Sequence, residues 1–336
     1  MPQEQLMPNE SVVIPAAARP FALNRSSRIF VRQYGGILAG LLAVIIIFTL
    51  LSPKFLSVNN MTNILLQVSI TAIAAFGMTF VLLLGDVDLS AGSMLAMVGT
   101  VSALLVNNGM PMVLVVPLAL IVGVLLGATN GFLSAVFGLP AFVVTLATLG
   151  IYRGITYILT GGVPISVSDD SFLAIGNGDL FGVPNPILIL LALLVLNHFI
   201  LSKTVFGRRV YFAGGNREAA LYSGINVVRL KIFVFIVMGV MAGISGLITV
   251  SRLYSAQPNA GIGAELDAIA AAVLGGTGLS GGYGTILGTL IGALTIGVIN
   301  NGMNLMNVPY FYQLIVKGMV ILVAVYMDVL NKKRRA

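Results

Sequence analysis

Four acids stand in two close pairs beside long apolar runs: Asp86 with Asp88, and Glu265 with Asp267. A basic residue, Lys317, lies inside another such run. Acids within a membrane hold protons or sodium ions for a carrier, or they cap helices at the interface. Neither role makes an enzyme, and the rest of the chain supplies no catalytic set. There is no Cys, which excludes disulfides, thiolate zinc sites and thiol nucleophiles. The single His, His198, cannot build a metal cluster alone. Lys203-Thr204 has Asn197 and Ser202 where a phosphate-binding loop needs Gly. The Gly-rich run 275–284 lacks the strand and acidic partner of a dinucleotide site. No catalytic residue and no nucleotide site of its own are expected.

The elements that must position these residues follow from composition. Of 336 residues, 58% are hydrophobic and 9% charged, against roughly 25% charged in a soluble domain. So few charges cannot cover that much apolar surface in water. Soluble enzymes, disordered chains and fibrous proteins are excluded. The fold class expected is all-α, a polytopic transmembrane bundle. Apolar runs place about ten spans at 35–51, 62–84, 92–107, 112–135, 141–160, 186–202, 231–250, 266–276, 285–302 and 312–329. The run 266–276 is short for a span of about 20 residues, which leaves two readings of 266–284, a full span or a half-helix continued by the following Gly-rich backbone. This divides the chain into a tail 1–34, a transmembrane region 35–330 with a basic loop 203–231, and a basic tail 331–336. No cleavable signal peptide is visible.

The formal charge of +7 does not point to nucleic acid. Its basic residues gather in three patches: Arg19, Arg25, Arg28 and Arg32; Lys203, Arg208, Arg209, Arg217, Arg229 and Lys231; and Lys332 to Arg335. Ten spans put all three on one side of the membrane, which the positive-inside rule makes cytoplasmic. Asp86 and Asp88 fall near that same side, where capping suits them better than ion binding.

Two stretches repeat. Leu84 to Gly92 aligns with Leu274-Gly275-Gly276-Thr277-Gly278-Leu279-Ser280-Gly281-Gly282 at five of nine positions. Each is followed by an Asn-Gly pair (Asn130-Gly131; Asn301-Gly302) and a Pro-x-Phe (Pro140; Pro309). This reads as a degenerate internal repeat, the alternative being chance likeness between Gly-rich segments. Helices broken in matching places of two halves point to a translocation path.

The segment 206–225 is the most informative. Gly214-Gly215 is expected to turn. Asn216 is a good N-cap, Glu218 suits a helix start, Ala219 and Ala220 favour helix, and Gly224 suits its end. A capped helix of about seven residues, marginal alone in water, is expected to pack on something, unless it is an ordinary loop helix on the membrane.

This segment, with Val227-Val228-Arg229-Leu230-Lys231, resembles the cytoplasmic coupling loop of sugar ABC transporter permeases. Asp86 to Ser93 looks like that family's signature after its second span. Ser255 to Gly261, Glu265 to Ala271, Leu274 to Thr277 and Asn300 to Leu305 are similar to its ribose permeases. The likeness covers about residues 35–330. Asp86, where many members carry a small residue, and the longer N-terminal tail depart from it. The resemblance implies a multi-pass subunit of the bacterial inner membrane, with both termini cytoplasmic. It implies a second permease copy, an ATPase subunit binding ATP and Mg beneath, and a periplasmic sugar-binding protein above. Gly214, Gly215, Asn216, Glu218, Ala219, Ala220 and Gly224 would then couple to the ATPase, with Ala219 and Ala220 facing its groove. The rival readings are an ion-coupled carrier, which would use Asp86 and Asp88, and an amino-acid permease of the same superfamily.

Sugars are neutral, so amides and hydroxyls are expected to line their path. Candidates are Gln67, Asp88, Ser90, Asn130, Asn300, Asn301, Asn304 and Gln313. Lys317 lies about 12 Å into the last span at 1.5 Å per residue. It either snorkels outward or pairs with Asp267, taken to begin its segment on the outer side.

Overall fold

The computed structural model describes residues 25–335, with side-chain surroundings for residues 34–326 except 324. Arg19 and the rest of 1–24, and the side chains of Lys332 to Arg335, lie outside the described residues. The chain divides after Gly36. In the first unit, Arg25 to Gly36 form the opening turns of a helix. That helix starts ten residues before the expected span. All that follows concerns the second unit.

The described elements are α1 (Arg25–Leu51), α2 (Val58–Leu83), α3 (Ala91–Asn107), α4 (Met112–Val136), α5 (Ala141–Thr160), β1 (Ile165–Ser166), α6 (Asp170–Asn177), β2 (Asp179–Leu180), β3 (Val183–Pro184), α7 (Asn185–Lys203), α8 (Val205–Gly215), α9 (Arg217–Tyr222), α10 (Val227–Leu253), β4 (Ser255–Ala256), α11 (Ala264–Leu274), α12 (Ile286–Leu305) and α13 (Tyr310–Arg335). Seven helices are long and apolar enough to cross a membrane: α1, α2, α4, α5, α7, α10 and α12. Helix α3 and the Tyr310–Val323 part of α13 are apolar but shorter. The molecule is thus an all-α multi-pass membrane bundle. Its strands are two-residue pairs, β1 with β4 and β2 with β3, both antiparallel.

Call the end that carries α8 and α9 the basic end, and the opposite one the far end. Antiparallel packing fixes the direction of each crossing. Helix α4 descends against rising α10, with Gly123, Gly127 and Gly131 placed on Gly239, Phe235 and Ile232. Four-residue spacing of small residues lets the two backbones touch where lipid supplies no hydrophobic drive. Helix α2 is the most enclosed, with every residue from Ala72 to Leu83 buried. It packs against α10, α12, α11 and α7. Helices α4, α5 and α7 expose apolar faces such as Ile121, Leu146 and Val195.

The eighth crossing departs from expectation. Helix α11 has 11 residues, about 16 Å at 1.5 Å per residue, half of a core about 30 Å thick. The missing half precedes it. Ser255 pairs with Ser166, whose carbonyl accepts from Asn107 Nδ2 2.9 Å away, at the far end of α3. Gly261 packs on Gly92, at the opposite end of α3. The segment 255–263 therefore runs down the length of α3 before α11 begins. Non-helical backbone is tolerated at that depth because protein covers it. Arg153 Nη1 holds it, donating to the carbonyls of Pro258 and Ala260, each at 2.7 Å. Asp267 accordingly begins its helix at mid-depth and not at the outer side.

Candidate functional site

The first break, residues 84–90, turns on Gly85 at φ 77°. Asp86 forms an ion pair with Lys231, near the start of α10, at 2.9 Å. Asp88 is fully buried. Its Oδ1 accepts from Ser90 N at 2.8 Å and Ser90 Oγ at 2.7 Å. Ser90 Oγ in turn accepts from Asn130 Nδ2 at 2.8 Å, and Tyr152 Oη lies 3.1 Å from Asn130 Oδ1. The positive end of α3 begins three residues on and favours the Asp88 charge. Asp88, Ser90 and Asn130 thus form a buried brace joining the break to α4 and α5, with Asp88 Oδ2 left without a hydrogen-bond partner.

The second break, residues 275–285, faces the first. Gly282 N donates to the Leu83 carbonyl at 2.9 Å, and a Cβ on Gly85 would meet Ser280 O at 3.3 Å. The two look-alike stretches are therefore in contact at the basic end. Their downstream halves diverge. Asn130 serves the first break, whereas Asn301 exchanges two hydrogen bonds with Asn60 of α2, at 2.9 and 3.0 Å.

Segment 203–231 closes the junction. Gly214-Gly215 do not turn; they are the last two residues of α8, and the chain breaks at Asn216. The reason is steric. A Cβ on Gly214 would strike the Leu83 carbonyl and lie 2.9 Å from Gly282 N, while one on Gly281 would lie 2.7 Å from Gly214 O. Gly214 is therefore the point where α8 touches the end of α2 and the second break at once. Tyr211 Oη adds a hydrogen bond to the Gly284 carbonyl at 2.7 Å.

Beyond it, Asn216 Oδ1 accepts from Ala219 N at 2.9 Å, capping α9, and Gly224 ends it at φ 77°. Glu218 is exposed in its first turn. The expectation that Ala219 and Ala220 face outward fails for Ala220, which is 0% exposed. Its carbonyl accepts from Ile225 N at 3.0 Å. The outward groups are Leu221 and Tyr222, 54% and 92% exposed. Sequence reasoning missed them because alanines looked like the contact face.

At mid-depth a second Gly contact joins α3 to the descending segment. A Cβ on Gly92 would strike Gly261 O and the Glu265 carboxylate. The first span offers a control, since a Cβ on Gly40 meets nothing within 4 Å. Gly92→Val and Gly282→Val, the latter at φ 82°, are expected to reduce transport about tenfold or more, each costing several times the ~1.4 kcal/mol that a factor of ten requires. Gly40→Val is expected to leave it unchanged, and equal loss at all three sites would discard the assignment.

The remaining polar candidates lie elsewhere. Gln67 is half-buried on α2. Asn300 and Asn304 stand one turn apart on α12. Gln313 Nε2 on α13 donates to Asn304 Oδ1 at 2.8 Å. Lys317 Nζ lies 2.9 Å from Asp267 Oδ2, so it does not snorkel. Sequence reasoning also missed Lys231 as the Asp86 partner, Asn60 and Arg153.

Comparison with known proteins agrees with this architecture. Residues 60–325 match the family model described as "Branched-chain amino acid transport system / permease component". The ribose import permease protein of Haemophilus influenzae is 48% identical over 86% of this chain and 90% of its own length. That of Bacillus subtilis is 47% identical, over 89% and 93%. The xylose transport system permease protein of Escherichia coli is 38% identical, over 88% and 92%. No solved structure matches. With most of its length matched, bundle and breaks included, the chain belongs to this family of transport-system permeases.

Proposed function

We propose that this chain is the membrane permease of a binding-protein-dependent ABC importer, carrying ribose or a similar pentose or hexose across the bacterial inner membrane. The observation that carries the reading is Gly214: the segment bearing the exposed Leu221 and Tyr222 abuts the end of α2 and the second break there, so a push on α9 reaches the crossing directly. A self-sufficient carrier has no use for such a joint. The partner pushing on it is an ATPase subunit that binds ATP with Mg. A soluble sugar-binding protein delivers at the far end, and a second permease copy completes the pore. The positive-inside rule puts the basic end, with both termini, in the cytoplasm.

An ion-coupled carrier is disfavoured because Asp86 and Asp267 are each paired with a lysine and Glu265 accepts from Gly263 N; Asp88 binds Ser90 through Oδ1 and leaves Oδ2 without a partner. The family description names amino acids, but relatives 38–48% identical are named for ribose and xylose, which favours a neutral polyol.

The test is ribose uptake into vesicles containing the chain with its ATPase subunit and binding protein. Uptake is expected to require ATP and all three proteins. Leu221→Asp with Tyr222→Ala is expected to abolish recovery of the ATPase on the tagged permease, with membrane amounts unchanged. Uptake driven by an ion gradient without ATP would refute the reading.

A further inference from the structure

Helices α12 and α13 run antiparallel, and two polar rungs bridge them in register. Asn304 meets Gln313 at the first. One turn deeper on both helices, Asn300 and Lys317 meet through Asp267, the start of the half-helix α11: Asp267 accepts from Lys317 at 2.9 Å and from the Asn300 side chain. The rungs lie about 6 Å apart, four residues at 1.5 Å each. Beyond the second rung lies an apolar pocket, lined by Leu274, Val316, Met319 and Val320. The polar part thus occupies only the half of the crossing nearer the far end.

This arrangement is not what a structural strut needs. Ionisable side chains at membrane depth are costly, and they face a protein interior or a watery cavity. Here the Lys317 and Asp267 side chains remain 20% and 15% exposed, so the pair is not sealed inside the protein. Asn300 Oδ1, beside it, is buried and accepts no hydrogen bond, an expensive omission. Asn304 is exposed on the same line. Lys317 has donors to spare, and Asn300 Oδ1 is an idle acceptor. The wall therefore offers donors and acceptors about one helical turn apart, with its two charges already cancelling each other.

We infer that Asn300, Asn304, Gln313 and the Asp267–Lys317 pair form a subsite for a neutral polyol in transit. Hydroxyls, which donate and accept at once, bridge Asn300 Oδ1 to Lys317 and then exchange with the Asn304–Gln313 bond. A net charge on the solute has no counter-charge to meet. This rests on the importer reading above, because it names where the delivered sugar is handled.

The experiment reconstitutes the permease with its ATPase subunit and binding protein. It follows D-ribose and L-leucine uptake, binding-protein-stimulated ATP hydrolysis and thermal stability. Lys317→Met and Asp267→Asn singly are expected to lower stability by stranding a charge, and the double variant to restore it. On a subsite, ribose uptake stays at least tenfold down in the double variant and in Asn300→Ala, while ATP hydrolysis continues. The double variant recovering uptake along with stability would make the pair a strut and overturn the proposal, as would wild-type uptake by Asn300→Ala. Transport of L-leucine in place of ribose overturns the polyol assignment. No uptake of either by the wild-type complex overturns the importer reading itself, and the subsite with it.

Discussion

Gly214→Ala is expected to cut transport about tenfold or more, and Gly215→Ala next to it to leave transport intact. The two glycines are adjacent on one helix, yet their surroundings are opposite. A single methyl group on Gly214 collides with the backbone carbonyl of Leu83, whereas one on Gly215 meets nothing within 4 Å. Backbone cannot rotate aside as a side chain does, so α8 must lift off α2 and the second break. Overpacking of this kind costs about 1–3 kcal/mol or more. That energy falls on the contact through which α9 acts, so uptake is expected to drop about tenfold or further. At Gly215, alanine gains a little helix propensity, less than the ~1 kcal/mol of an interior site. Uptake per permease, with ATPase recovery as the control for assembly, separates the two. Equal effects would mean that the junction at Leu83 transmits nothing.

The second large effect concerns Asp86 and Lys231. Their side chains are 19% and 8% exposed, and the pair ties the first break to the root of α10. Breaking a buried pair from one side costs about 3–5 kcal/mol, because the survivor keeps its desolvation penalty; the partial exposure of Asp86 argues for the lower end. Lys231→Met is therefore expected to unfold the protein in detergent at a markedly lower temperature. Asp86→Asn added to it recovers most of the loss. Additive losses in the double variant would mean the two residues act separately.

The spans were legible because a membrane demands long apolar runs. The half-helix was legible from the shortness of 266–276. Its route was not, because Ser255 to Gly263 has the Pro, Asn and Gly content of a surface loop. Its pairing with β1, Arg153 and the Gly92–Gly261 contact hold it within the bundle. The glycine pair 214–215 read as a turn, since sequence does not distinguish a glycine that bends from one that admits a neighbour. Ala220 was misplaced for a related reason: small side chains suit any close contact, internal or external. Among the polar candidates, Asn130 and Asn301 are the same residue type in matching repeats. One proved to brace a break and the other to lock two helices.

The path of segment 255–263 also bears on how the protein is made. Eleven residues of α11 are too few for the insertion machinery to recognise as a span, and the nine before them carry polar backbone that lipid will not solvate. This stretch cannot enter the bilayer by itself as it leaves the ribosome. It has to wait at the surface until α3, α5 and α10 have assembled a sheltered slot with Arg153 in place. Helix α12, though later in the chain, is long and apolar enough to insert first. The eighth crossing is then among the last parts of the molecule to reach its position, and the orientation of everything after it depends on a segment that joins the membrane late.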